Sequence, residues 1–167
     1  SVVPSTFTCA DVGDKNVTLK IKDVTGNIST CESTVTVKDE VPPVITCVTG
    51  SPFSRYVDAY QAYYTVSVSE FDATANDACG VDTLKYAIDG GTASANGASV
   101  AGVQLAVGTH YIVWTAVDNN GNSSTCTTVV TVQKRPTTLT YTGDLTEQYS
   151  DITNLSATLI DDVSGLG

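Results

Sequence analysis

Five oxygen-bearing side chains are the first candidates for chemistry in this chain: Asp39, Glu40, Asp77, Asp118 and Asn120. Calcium takes about six to eight hard oxygen ligands, mostly carboxylates and amide carbonyls, so these five would supply much of a site if the fold gathered them. The competing reading is local, because Asp and Asn side chains accept hydrogen bonds from the backbone of their own turns. A second set is Tyr56, Tyr60, Tyr63 and Tyr64, with Phe53 nearby. Exposed together they would make an aromatic platform for sugar rings; turned inward they would fill a core, as aromatics on strands usually do. Their spacing also fits one helical turn. Cysteines at 9, 31, 47, 79 and 126 point to an oxidising compartment.

Catalytic constellations are missing from the sequence. His110 is the single histidine, so no histidine metal cluster and no Ser/His/Asp arrangement can be assembled. There is no Gly-x-Ser-x-Gly elbow, phosphate loop or dinucleotide fingerprint. The expectation is a protein that is not an enzyme. Eighteen acidic residues against eight basic ones give a net charge of −10 and a pI near 4.2. That balance repels phosphate backbones and argues against nucleic acid as a partner. No apolar run approaches the roughly 18 residues of a membrane span, so no membrane insertion is expected.

The elements that must position these residues are set by an internal repeat. The stretch Val117–Cys126 has an earlier copy in Lys22–Cys31, and the match continues at a constant offset of 95 residues. Gly13 falls on Gly108, Val17 on Ile112, Leu19 on Trp114, Asp23 on Asp118, Gly26 on Gly121, Cys31 on Cys126, and Val35 and Val37 on Val130 and Val132. On both sides of each Asp-x-x-Gly-Asn, apolar residues alternate with polar ones, the period of a strand with one buried face. Each copy therefore predicts a β-hairpin, the closing pair of a β-sandwich module.

Between the copies, Lys38-Asp39-Glu40-Val41-Pro42-Pro43 reads as a short stiff joint, since two prolines fix φ and remove donors. The predicted organisation is all-β and tandem, with one complete immunoglobulin-like module flanked by two partial ones. Residues 1–40 are the closing half of one repeat, with strands near Phe7–Val12, Asn16–Lys22 and Ser29–Lys38. Residues 41–134 form the complete module, with strands near Val44–Val48, Tyr63–Ser69, Val81–Ile88, Val103–Ala106, Thr109–Val117 and Ser124–Gln133. Tyr64, Val66 and Val68 are expected to match Leu84, Tyr86 and Ile88 in the next strand, with Trp114 in the middle. Residues 135–167 open a third module of another subtype. Ser1 falls in mid-module, so the chain reads as a piece of a longer one.

Val41-Pro42-Pro43-Val44-Ile45-Thr46-Cys47, Ala75-Asn76-Asp77-Ala78-Cys79-Gly80, and Val107-Gly108-Thr109 through Asp118-x-x-Gly121-Asn122-x-x-x-Cys126 resemble the hyalin repeat (HYR) domain. Residues 5–43 resemble the closing half of a related repeat in very large surface proteins of gliding Gram-negative bacteria, and residues 136–167 the opening of a bacterial Ig-like repeat. The resemblance implies a Cys47–Cys126 disulfide closing a loop of about 79 residues. It also implies that Cys79 has no partner and stays free and buried, and that Cys31 and Cys9 pair with cysteines upstream of Ser1, with Cys9–Cys31 as the fallback. Asp82-Thr83-Leu84 resembles the Asp-Thr-aliphatic acceptor for O-linked sugars in gliding bacteria, which would make Thr83 a glycosylation site; a plain strand start is the alternative. The implied function is a structural spacer in a secreted cell-surface adhesin or filament, with neighbouring modules of the same chain as partners. Its rival is a glycan-binding accessory module of a secreted polysaccharide-degrading enzyme, in which the tyrosines hold sugar.

Overall fold

The computed structural model describes residues 1–141 and 157–161. Most of the third stretch expected to open a module, residues 142–156 and 162–167, therefore lies outside the described residues. Among the described residues thirteen strands run in order: β1 (Val2–Val3), β2 (Gly13–Lys22), β3 (Ile28–Val37), β4 (Val44–Thr46), β5 (Phe53–Tyr56), β6 (Tyr63–Thr65), β7 (Thr74–Asn76), β8 (Val81–Ile88), β9 (Gln104–Ala106), β10 (Gly108–Asp118), β11 (Ser123–Gln133), β12 (Thr137–Tyr141) and β13 (Ala157–Asp161). Among the described residues the sole helical element is a 3-10 turn at Cys9–Asp11, so the fold class is all-β.

Both predicted hairpins form, in one register. β2 and β3 pair antiparallel from Gly13 opposite Val37 to Lys22 opposite Ile28; β10 and β11 pair from Gly108 opposite Val132 to Val117 opposite Ser123. Every partner pair of the first is carried onto a pair of the second by the same offset. The β2–β3 hairpin, with β1 alongside, is a three-stranded sheet. The β10–β11 hairpin lies in a four-stranded sheet, β5-β11-β10-β8, in which β5 runs parallel to β11. Two-stranded ladders β4–β7, β6–β9 and β12–β13 complete the described structure.

The core belongs to the second copy. Ile112, Trp114, Val130 and Val132 face Val57, Val66, Phe71, Val100 and Leu105, with Ile45, Cys47, Phe53 and Tyr64 packed at its margin. Trp114 is buried, donates its indole N–H to the Phe71 carbonyl at 3.1 Å, and meets the Tyr86 ring at 5.2 Å. At about 25 cal/mol per Å2, burying a side chain of this size is among the largest single gains available to the core.

Three strand expectations are corrected. Phe7–Val12 is not a strand: the Thr8 backbone N–H donates to the Asp11 carboxylate at 2.9 Å and the Asp11 N–H to the Thr8 carbonyl, which curls the segment into the 3-10 turn. The strand from Tyr63 ends at Thr65 because Ser67–Asp72 closes on itself in turns, with Ser69 at φ 58°. Val68 is consequently 86% exposed, and β6 pairs with β9 rather than with β8. Three short strands, β1, β5 and β7, were not legible in the sequence.

Candidate functional site

The structural feature built with most side-chain chemistry is the junction between the two copies. Its parts begin with the hairpin turns. In the second turn the Asp118 carboxylate accepts hydrogen bonds from the Asn120 and Asn122 backbone N–H groups, both at 2.8 Å, and from the Asn122 side-chain amide at 2.8 Å. In the first, Asp23 accepts from Thr25 and Asn27 in the same places at 2.9 and 2.8 Å, and from the Asn27 amide at 2.8 Å. Gly26 and Gly121 stand at φ 100° and 90°, where an L side chain is strained, which explains the shared Gly. Side-chain hydrogen bonds from Asn27 and Thr25 hold the Asp23 carboxyl at about 2, well below its usual value. Burial pushes Asp118 up, but the bonds from Asn122 and Asn120 outweigh it and its carboxyl also lies below the usual range.

The second turn then grips the linker. Asn120 donates its amide to the Asp39 carboxylate at 2.8 Å, Asn122 donates to the Asp39 carbonyl at 3.0 Å, and the Ser124 hydroxyl donates to the Pro43 carbonyl at 2.5 Å. On the other side, the Asn119 amide donates to the Cys79 carbonyl at 2.8 Å and its backbone N–H to the Gly80 carbonyl at 3.3 Å. A Cβ on Gly80 would sit 2.7 Å from the Asn119 amide nitrogen, and Gly80 is at φ 97°, so this approach demands glycine. The linker, the β10–β11 turn and the Asp77–Gly80 loop are thus one hydrogen-bonded junction. Beside it Val12, Thr36, Lys38, Asp39, Glu40 and Asn120 line an open cleft of about 420 Å3.

Two disulfides are present. Cys47–Cys126 forms as the resemblance implied, with Cα atoms 5.9 Å apart. The expectations for Cys79 and Cys9 are overturned. Cys79 is not free: it is bonded to Cys9 in the 3-10 turn of the first copy, with Cα atoms 5.0 Å apart. Cys9 consequently pairs neither upstream nor with Cys31, which is an exposed free thiol. The cause is the junction itself, which lays the Asp77–Gly80 loop against the end of the first sheet. At the repeat offset Cys9 falls on Gln104, so the first copy carries a cysteine where the second has none.

Of the five expected calcium ligands, the fold brings Asp39, Asp77 and Asn120 to the junction, with one oxygen each of Asp39 and Asp77 and the Cys79 sulfur within 4.8 Å of one another. That sulfur is in a disulfide and is no hard donor, and Asn120 turns N–H groups to Asp39. Asp77 accepts from the Cys79 N–H at 2.7 Å and Asp39 from the Val41 N–H at 3.1 Å, the capping geometry of local turns. Asp118 is buried on its own turn, and Glu40 is exposed at the cleft.

The tyrosines do not share one surface role. Tyr60 is 93% exposed and Tyr56 39%, whereas Tyr63 and Tyr64 are half-buried, and the Tyr64 hydroxyl donates to Glu70, which is also held by Arg55 at 2.5 Å. No helical turn joins them. Thr83 is half-buried in β8, opposite Val117. His110, on β10, lies 2.7 Å from the Asp89 carboxylate and 2.8 Å from the Ala106 carbonyl. In comparisons with known proteins, no family model and no curated protein matches the chain.

Proposed function

We propose that the chain is a spacer segment of a secreted cell-surface adhesin or filament, built of tandem immunoglobulin-like β-sandwich modules. The boundaries are those of the sequence: residues 1–40, 41–134 and 135–167. One observation carries the reading: a hairpin repeated in identical register, with a proline-bearing linker hydrogen-bonded to the second turn and the two copies cross-linked by Cys9–Cys79. A repeat whose joint is fixed covalently transmits force and keeps its direction, which a tether of the same length does not.

Small-angle X-ray scattering tests the reading. A compact domain of this length would have a radius of gyration of about 15 Å. Two modules end to end, each about 40 Å long, would give more than about 20 Å. A value near the compact figure would reject the spacer.

A further inference from the structure

The first sheet carries a face that this molecule covers in its other copy. At the repeat offset Val17, Leu19 and Ile21 correspond to Ile112, Trp114 and Ala116, which are 0%, 1% and 0% exposed. Of the three, Val17 is buried, whereas Leu19 and Ile21 are 39% and 61% exposed. Leu19 lies opposite Cys31 as Trp114 lies opposite Cys126. Even the neighbouring strand agrees: Val2 of β1 lies opposite Leu19 as Tyr86 of β8 lies opposite Trp114. What differs is the layer above. Over β10 and β11 lie Ile45, Phe71 and Val66, and the cysteine that follows β4, Cys47, is bonded to Cys126. The counterpart of Cys126 is Cys31, the free thiol.

We propose that the Cys31 face of the first sheet is a docking surface for a segment of the same polypeptide with the chemistry of Val44–Val48: an extended, apolar strand whose cysteine bonds to Cys31. Chain order identifies the occupant. In the covered copy β4 to β7 all precede β8, and β1 holds the place of β8, so the covering layer belongs on the N-terminal side of Val2. A second copy of the described chain is a poorer occupant, because its own Cys47 is already spent on Cys126. Bond formation follows thiol–disulfide exchange. The Cys31 thiol and the incoming cysteine thiol each give up a proton and together two electrons, an S–S bond forms, and a disulfide-bearing oxidant is reduced to two thiols. The inference rests on the tandem-repeat reading above, but its test is separate from the scattering that decides that reading.

Non-reducing peptide mapping of the full polypeptide, expressed into an oxidising compartment, provides the test. Cys31 is expected in a disulfide with a cysteine N-terminal to Ser1. Recovery of Cys31 as an alkylated free thiol, or linked to Cys31 of another copy, overturns the proposal even if scattering shows an extended particle. The face itself is probed by Leu19→Ser in the same polypeptide. Under mild reductant, alkylation of Cys31 should become about tenfold faster, and an unchanged rate would mean that the covering segment does not rest on Leu19.

Discussion

Removing the Cys9–Cys79 cross-link is the sharpest perturbation of the junction. The bond spans 70 residues, and the chain-entropy relation for such a loop gives about 4.4 kcal/mol at 25 °C. The second disulfide lowers this only by about 0.2 kcal/mol, because it tethers part of the same loop in the unfolded chain. With an unfolding entropy of about 2.1 cal/mol/K per residue, the 167-residue chain has about 0.35 kcal/mol/K, so the melting temperature should fall by about 12 °C. The first sheet has one buried apolar side chain, Val17, and three strands with so little core are marginal alone. Calorimetry of the Cys9→Ser, Cys79→Ser double variant should therefore show a lower transition that also splits, the first sheet melting ahead of the Trp114 core. A single transition displaced by less than about 3 °C would refute the claim that the cross-link joins the copies into one cooperative unit.

Two further outcomes follow from named contacts. In residues 1–167 alone, Trp114→Ala should cost about 3–5 kcal/mol in a urea melt, and its counterpart Leu19→Ala under about 1 kcal/mol, because only the former side chain is buried there. The His110 ring is pushed down by burial, but the Asp89 carboxylate and the Ala106 carbonyl overcome this and its pKa is raised. The stability it adds is then complete below about 6.5, the unfolded value, and is lost as pH rises through the folded one, so the melting temperature should fall from pH 6 to pH 8.5 and His110→Gln should remove that slope.

Long, alternating elements were legible because two independent signals coincided on them. The β2–β3 and β10–β11 hairpins had period-two patterning and a constant offset, and their register could be copied from one to the other. β5 and β7 had neither signal. Phe53–Tyr56 is four residues long and Thr74–Asn76 three, too short for periodicity, and their pairing with β11 and β4 is decided by tertiary packing. The Thr8–Asp11 turn carried a sequence signal of its own, a Thr followed three residues later by an acid, which the apolar spacing of Phe7 to Val12 masked. At the junction, Asp39 and Asp118 were legible as loop residues. That Asn120 and Asn122 turn toward Asp39 was not, since residues 81 and 83 positions apart are joined only by the folded linker.

The repeat also shows which residues set the clasp at the Lys38–Pro43 linker apart from the segment that follows β11. At the same offset Asp39 and Glu40 fall on Lys134 and Arg135, and Cys9 falls on Gln104. The acidic linker that receives two asparagine amides is thus replaced by a basic one, which offers ammonium and guanidinium donors where carboxylate acceptors stood. An amide-to-carboxylate clasp cannot be made there with the same partners, and no cysteine at 104 is available for a staple. Arg135 instead donates back to the Val57 carbonyl of its own copy at 3.3 Å. Copies that share a hairpin register therefore diverge in the residues that follow the hairpin, and the cross-linked clasp is set by the residues at 9, 39 and 79 rather than by the repeat.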